Sequence, residues 1–279
     1  MSETILVALD GSLPAQTAAS VAIQLAQTQH LAIRGLYVVD ERLVLNIYAN
    51  YSKELGTAEG VASRPELIAR FEQRGEVALK WLEASCREVR VPVTTDLLFG
   101  GVPELVLQAT AEAELVALGR RGHGHPTDQK YLGRNLRAIA QHPQQPMLVA
   151  GDERRLIKRL LLVYDPSRRN QRALTWASLF QHMLPSTAVV LVSQEVYQAS
   201  QPGLPEAEVQ AYLEQTGLSD YHLVSSERSL AAGIVSAAAD NDVDLIVMGE
   251  HRHTIASRWL IGPVLNHVLR NTSLPVLLA

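Results

Sequence analysis

The sequence has little cysteine, few aromatic residues and no excess charge of one sign. Cys86 is the only cysteine, so no disulfide can form within the chain. Aromatic residues make up 5% of the 279 residues and hydrophobic residues 47%, so the core must be mainly aliphatic, as in helices packed on a buried parallel sheet. With 25 basic and 29 acidic residues, the chain has no electrostatic field suited to nucleic acid or an anionic membrane.

Long apolar runs are also missing. The sequence contains no stretch of about 18 uncharged apolar residues, the length needed to span a bilayer. The opening segment MSETILVALDGS lacks the basic and apolar regions of a secretory signal. We therefore expect a cytoplasmic protein without a membrane or nucleic-acid partner. Cys86 stands at helical spacing with Leu82 and Val89, which predicts a buried structural thiol.

The chain contains two related halves. The run ILVALDGS at 5–12 is matched by LLLVYDPS at 160–167, and LVALGRRGHG at 115–124 by LIVMGEHRHT at 245–254. The offset is 155 between Asp10 and Asp165 but 130 between Gly119 and Gly249, so the second half lacks about 25 residues. The missing residues correspond to part of 40–75. We predict two domains, 1–152 and 153–279, with the boundary near 153.

Periodicity predicts alternating strands and helices in the first half. The strands are expected near 4–9, 32–39, 92–99, 115–119 and 146–150, and the helices near 14–29, 65–89, 102–113 and 133–142. Alternation of this kind predicts a doubly wound parallel sheet, which binds ligands at the carboxyl ends of its strands. Asp10, Val38, Gly101 and Gly119 fall at those ends.

Three glycines mark a loop in the first half. Gly119 closes a strand, Gly122 follows three residues later, and Gly133 opens a helix, so backbone N–H groups could converge on an anion. The pattern is neither a Walker loop nor G-x-G-x-x-G. Glycines at a strand-to-helix turn also serve where φ is positive. Spacing alone therefore leaves a phosphate cradle and a structural turn as alternatives.

The wider context resembles the universal stress protein family. The likeness covers nearly the whole chain twice and rests on VALDGS, LYVVDER, FGGVPELV, ALGRRGHG and LGRNLRAIAQHPQQPMLVA. In that family a Gly-x2-Gly-x9-Gly-Ser/Thr loop binds ATP or AMP. The resemblance implies two tandem α/β domains of the adenine nucleotide alpha hydrolase-like kind, each a five-stranded, mostly parallel sheet with helices on both faces. It also implies that the strands PMLVA and PVLLA pair antiparallel as an intrachain pseudo-dimer, which leaves a homodimer open.

The resemblance assigns roles by position. Ala8, Leu9 and Asp10 would line the adenosine end, and Val38 would meet the adenine through backbone atoms. This chain departs from the family because ten residues separate Gly122 from Gly133 and because Arg134 replaces the Ser/Thr. The phosphate side would comprise Leu118, Gly119, Arg120, Gly122, Gly133, Arg134 and Asn135, in a loop that Arg121 and Lys130 make more cationic, with a solvated rim as the alternative role for these cations.

The second half departs further. Arg252 stands at the middle glycine and Pro263 at the Ser/Thr position, which predicts a degenerate site with a structural or partner-binding role. The loop histidines His123, His125, His251 and His253 could help bind Zn²⁺, but their spacing is typical of solvated residues as well. Asp10 could orient Mg²⁺ or a ribose; its alternative role is a helix cap or Asx turn.

No catalytic constellation is visible, since serine and histidine occur without a nucleophile elbow or a triad signature. We therefore expect a stress-response regulator or sensor that binds ATP, ADP or AMP in its first domain and acts on an unknown protein partner. Bound nucleotide would order residues 119–134 and the insertion at 40–65. The alternatives are a scaffold independent of nucleotide, a module that binds another small molecule or a metal, and a weak ATP hydrolase.

Overall fold

Strands and helices alternate along both halves of the chain. The computed structural model describes residues 4–54, 63–122, 132–164, 171–183, 186–195, 206–249 and 262–279. Within these ranges the strands are β1 Thr4–Leu9, β2 Ala32–Asp40, β3 Val93–Gly100, β4 Leu115–Gly119, β5 Met147–Ala150, β6 Arg159–Tyr164, β7 Thr187–Ser193, β8 Tyr221–Ser226, β9 Leu245–Met248 and β10 Val276–Leu278. The helices are α1 Leu13–Gln29, α2 Glu41–Glu54, α3 Arg64–Glu88, α4 Val102–Thr110, α5 Arg134–Ala140, α6 Gln171–Met183, α7 Glu206–Gln215, α8 Leu230–Asp240 and α9 Pro263–Asn271.

The strands form one continuous sheet in the order β3-β2-β1-β4-β5-β10-β9-β6-β7-β8. All pairings within each half are parallel. The halves join where β5 and β10 pair antiparallel, with Leu277 opposite Leu148. The predicted fold of two doubly wound, five-stranded domains is therefore confirmed, and the expected antiparallel pairing between the last strands is present within one chain.

Two apolar layers cover the sheet, one on each face. Alternate residues of β1 divide between them, because side chains along a strand point to opposite faces: Ile5 and Val7 enter one layer, Leu6 the other. The first layer includes buried residues of α1, α3, α6 and α7, and the second those of α4, α5, α8 and α9. Each layer runs through both halves, so the domains share their core across the β5–β10 seam.

Local signals explain the two long helices of the first half. Ser12 caps α1 by accepting from the Ala15 N–H at 3.3 Å, and His30 ends the helix in the left-handed region. Ser63 and Glu66 form a reciprocal capping box at the start of α3. Cys86 lies wholly buried on α3, and burial raises its pKa to about 11, so the prediction of a buried structural thiol is confirmed.

Helix α2 is the main element that periodicity did not assign. It occupies Glu41–Glu54, within the segment that the second half lacks. Asp40 begins it by accepting from the Arg42 N–H at 2.9 Å and the Leu43 N–H at 3.3 Å. Val44 is buried against the first apolar layer, whereas Leu43 and Leu45 are exposed. Val44, Ile47 and Tyr48 stand at helical spacing, but the adjacent exposed Leu43 and Leu45 obscure this stripe in the sequence.

Candidate functional site

The carboxyl ends of β1, β2 and β4 form one edge of the first domain. Register places Ala8 between Leu36 and Leu118, all on the face covered by α4 and α5. Ala8 and Val38 are only half-buried there, while Leu118 is buried. These three side chains give the edge a shallow apolar wall. The side chain of Leu9 points to the opposite layer, so only its backbone faces this edge.

The glycine loop closes on itself beside this wall. The Gly133 N–H donates to the Arg120 carbonyl at 2.9 Å. A Cβ at Gly133 would lie 3.3 Å from the Arg121 Cα and 3.6 Å from the Gly122 nitrogen. The loop thus brings the backbones of Gly122 and Gly133 into contact although ten residues separate them, and Arg134 and Asn135 follow in the first turn of α5.

Gly119 is required for a close approach of backbone. A Cβ there would lie 2.7 Å from the Ala15 nitrogen and 3.0 Å from the Pro14 carbonyl carbon. The positive-φ residues of the described chain include Gly11 but neither Gly119 nor Gly133. A turn with positive φ, the structural alternative, is therefore not the reason for glycine at these two positions. The start of α1 packs directly on the end of β4.

Ser12 joins the start of α1 to the glycine loop. Its hydroxyl accepts from the Ala15 N–H and donates to the Arg121 carbonyl at 3.3 Å. Asp10 accepts from the Ser12 N–H at 2.9 Å, which is the Asx turn considered above. Burial, and then the carboxylate of Asp10, raise the pKa of Tyr37. The Asp10 carboxylate therefore lies at the same edge, next to β2.

Two consecutive arginines of the loop are buried. The side chain of Arg121 pairs with Asp152, just beyond β5. Arg120 donates from Nη1 to the carbonyls of Leu269 and Thr272, in the second domain. The Arg120 guanidinium thus lies in the seam between the domains and not with the other candidate residues, although its backbone stays in the loop. Of the expected set, the register brings Ala8 and Leu118 side by side, the loop contact joins Gly122 and Gly133, and the side chains of Leu9 and Arg120 point away from this edge.

The corresponding edge of the second domain is filled. By the offset of 155 and the strand register, Val163 takes the place of Ala8, and Ser193 that of Val38. Val163 is 0% exposed and Ser193 1%, where their counterparts are half-buried. The Ser193 hydroxyl has no hydrogen-bond partner among the described residues. Glu195 accepts from the Leu230 N–H at 2.7 Å, so its carboxylate caps α8.

Several residues considered from sequence lie outside the described residues. They are Lys130, Asp165, Arg252 and the loop histidines His123, His125, His251 and His253. Within the ranges that the structure describes, no three His, Cys, Asp or Glu side chains are arranged to hold a metal ion. Of the helices described, none combines the length and the apolar character needed to cross a membrane.

Sequence reasoning missed Ser12, Asp152 and the seam role of Arg120. Ser12 carried a usable signal, because a serine shortly before Pro14 at the start of an apolar-periodic segment is typical of a helix N-cap. Asp152 and the partners of Arg120 carried none. Their contacts join positions 31 or more residues apart and depend on how the two domains meet.

The sheet, the strand-edge site and its glycine loop define a tandem α/β protein of the universal stress protein class. The model of the universal stress protein family matches residues 1–151 and again residues 156–279. The chain belongs to this family. Universal stress protein Slr1230 of Synechocystis is 26% identical over 289 aligned positions that cover 99% of both chains.

Solved structures share the tandem fold. A universal stress protein of Archaeoglobus fulgidus superposes with a TM-score of 0.72 at 15% identity, over 99% of this chain and 95% of that one. The functionally unknown protein PA1789 of Pseudomonas aeruginosa gives a TM-score of 0.67 at 16% identity, over 99% and 92%. At these identities the likeness concerns the fold, which extends over both domains.

Proposed function

We propose that the first domain binds an adenine nucleotide (ATP, ADP or AMP) at the edge formed by β1, β2 and β4, and that the protein acts as a stress-response regulator or sensor. The observation that carries this proposal is the closed glycine loop beside a half-buried apolar wall. A nucleotide needs both an apolar surface for its base and backbone donors for its phosphates.

The apolar wall suits the base. Ala8 and Val38 leave part of their surface uncovered, and the buried side chain of Leu118 lies on the same face of the sheet, on the strand next to Ala8. Leu9 stands at the end of β1, and Val38 lies in β2 one residue beyond its last pair with β1, where backbone atoms can bond the edge of an adenine. Asp10 is the candidate for a ribose hydroxyl or a nucleotide-associated Mg²⁺, because its carboxylate lies at this same edge.

The glycine loop suits the phosphates. Gly122 and Gly133 keep side chains away from the place where their backbones meet. The N-cap residue of α5 is Gly133, which has no side chain to cap the helix, so among the described residues no N-cap side chain accepts from the N–H groups of Arg134 and Asn135. Arg134 is exposed at this position and can pair with a phosphate oxygen in place of the missing hydroxyl. The Gly133 N–H is occupied by Arg120, so Gly133 contributes space and not a donor.

The second domain serves as support in this proposal. Val163 and Ser193 are buried where the first domain keeps an opening. Arg252 would fill the place of Gly122, and Pro263 has no N–H to offer an anion. One nucleotide per chain is therefore expected.

A regulatory role follows from the loop. Bound nucleotide would contact the two described loop ends and change the surface that a partner protein meets, to the extent that two states of these ends differ in affinity for it. The expected ordering of 119–134 falls largely on residues 123–131, which lie outside the described residues. Helix α2 already forms at 41–54, so the expected ordering of the insertion does not apply to that part of it; residues 55–62 lie outside the described residues. No described group is placed as a general base for hydrolysis. The cytoplasmic location and a homodimer stay predictions.

The test is calorimetric titration of natively purified protein with ATP, ADP and AMP, together with mass spectrometry of any nucleotide that copurifies. We expect saturable binding of one nucleotide. Gly122→Arg copies the second domain's residue onto the first loop and should abolish binding. Pro263→Ser makes a change at the position equivalent to Arg134 and should leave binding unaltered.

Three outcomes would contradict the proposal. Wild-type protein without copurified nucleotide and without a response to any of the three ligands would favour the scaffold alternative. Binding that survives Gly122→Arg but is lost in Pro263→Ser would move the site to the second domain. Turnover of ATP above background that disappears in Gly122→Arg would establish the hydrolase alternative.

A further inference from the structure

Arg120 makes a contact that no sequence pattern in the first domain explains. Its side chain is 1% exposed, and Nη1 donates to the Leu269 carbonyl at 2.7 Å and to the Thr272 carbonyl. Leu269 lies in the last turn of α9, where the backbone carbonyls receive no hydrogen bond from an N–H of the same helix. The guanidinium thus caps the negative end of this second-domain helix.

The backbone of the same residue closes the glycine loop. The Arg120 N–H donates to the Ala150 carbonyl at 2.8 Å, at the end of the seam strand β5. Its carbonyl accepts from the Gly133 N–H at 2.9 Å, the bond that holds the far end of the loop. A single residue therefore connects the loop, the seam and helix α9.

Burial of the Arg120 guanidinium costs free energy, so stabilisation alone does not explain why this residue is an arginine. Nε and Nη2 of Arg120 are buried without a partner among the described residues, and burial lowers the pKa of the guanidinium. Apolar side chains of similar volume often stabilise such buried positions as well or better. The directional bonds to α9 are what an arginine adds here.

The second half of the sequence has no arginine at the equivalent position. Position 250, which corresponds to Arg120 by the offset of 130, is Glu250 and lies outside the described residues. A carboxylate has no proton to donate to the carbonyls at the end of a helix. An arginine that can bond the end of a helix is thus present at this position in the first domain's sequence and not in the second's.

We propose that Arg120 is a positioning residue through which the second domain sets the position of the two described loop ends, Gly119–Gly122 and Gly133, and with it the affinity of the first-domain site. The proposal rests on the proposed nucleotide binding for its affinity readout. The coupling itself is a property of the chain: a displacement of α9 reaches the Gly133 N–H through one side chain.

The first test compares Arg120→Met and Arg120→Lys with the wild type in ATP titrations. Arg120→Met removes both bonds to α9 and should weaken ATP binding about tenfold, within the usual range of coupling between sites. Arg120→Lys keeps a charge and a donor and should lie between the two. As a control, Phe180→Leu removes buried volume from α6, which makes no described hydrogen bond to Arg120, and should lower stability without changing affinity.

The second test needs no nucleotide. Leu269→Ala perturbs the end of α9, and hydrogen exchange at the Gly133 amide reports the loop. Exchange should accelerate in Leu269→Ala, and this acceleration should disappear when the same change is made in Arg120→Met and be reduced when it is made in Arg120→Lys. If hydrogen exchange at the Gly133 amide is unchanged by Leu269→Ala in the protein that retains Arg120, the coupling is overturned, whether or not the protein binds nucleotide.

The two tests separate the proposals. If ATP titration of the wild type shows no binding, but hydrogen exchange at the Gly133 amide accelerates in Leu269→Ala, nucleotide binding is refuted and the coupling is retained. Wild-type protein that binds ATP, with Arg120→Met binding equally well, would retain the site and refute the positioning role. If Arg120→Met does not fold, Arg120→Lys and Leu269→Ala carry the comparison.

Discussion

The ends of β1 and β2 differ from the ends of β6 and β7 in one respect, the surface they leave open. Ala8 and Val38 are half-buried, whereas Val163 and Ser193 at the equivalent positions are buried. Both pairs stand on strands with the same register and the same parallel partners. The comparison teaches that a duplicated fold can keep its framework while a few side chains at the strand ends decide whether a site remains.

A second difference concerns the residue that follows the glycine at the end of β4 and of β9. Arg120 reaches α9, while its counterpart Glu250 cannot donate to a carbonyl. The domain with the open edge is also the one whose loop is anchored across the seam. The two domains therefore differ in the residue at this position as well as in the burial of their strand ends, although they contribute five strands each to one sheet.

The largest effect on the free energy of unfolding is expected from substitutions in the β5–β10 seam, which joins the two domains. Leu277→Ala and Leu148→Ala each remove a wholly buried side chain at facing positions of β10 and β5, and each should cost about 2–5 kcal/mol. Because the core layers run through both domains, hydrogen exchange should increase in both after either change. Chemical denaturation gives the free energy of unfolding. A loss of protection confined to the substituted domain would mean that the domains fold independently.

A smaller effect is expected at the contact between α1 and the loop of the first domain. Gly119→Ala would place a Cβ 2.7 Å from the Ala15 nitrogen, and separating the two backbones should cost about 1–3 kcal/mol. Gly133→Ala is the matched control, because its nearest contact is 3.3 Å and should be accommodated at lower cost. Thermal unfolding of the two variants measures the difference. Equal stability of both variants would refute the structural role given to Gly119.

The hydroxyl of Ser12 should contribute about 1 kcal/mol. Ser12→Ala removes both the cap of α1 and the bond to the Arg121 carbonyl, so protection of the loop amides near Arg121 should fall with stability. Ser20→Ala is the control on the same helix, because its hydroxyl donates only to the preceding turn, to the Gln16 carbonyl. A larger destabilisation by Ser20→Ala would contradict the assignment.

The smallest effect should appear in acid, at the connector between the domains. The hydroxyl of Ser273 bonds the Glu153 carboxylate and lowers its pKa, with Arg155 and Arg120 acting in the same direction against desolvation. A carboxyl with a depressed folded pKa stabilises the protein above its unfolded pKa, about 4.3, and loses that contribution as the pH falls below it. Glu153→Gln should therefore reduce the acid sensitivity of unfolding slightly. An unchanged pH profile between pH 5 and about 3 would contradict this contribution.

Much of the fold could be predicted because its signals are local. The apolar run Ile5–Leu9, the caps at Ser12 and Ser63 and the alternation of strands and helices depend only on near neighbours. Helix α2 escaped prediction because the exposed Leu43 and Leu45 flank Val44 and obscure the helical spacing of Val44 and Ile47, which pack on the first layer. Of the candidate site, glycine spacing located the loop, but the reason for Gly119 is contact with Ala15, more than 100 residues earlier in the chain.

The sequence by itself determined the two domains, their parallel sheets and the position of the glycine loop, because repeats, periodicity and turn residues are patterns of residues close together in the sequence. Only the tertiary structure decided which strand end stays open, where the Arg120 guanidinium goes and what Asp152 pairs with. Burial and hydrogen bonding at these positions depend on residues brought together by folding. Arg120 appears from its sequence neighbours to be a phosphate ligand, yet its partners are carbonyls about 150 residues away in the second domain.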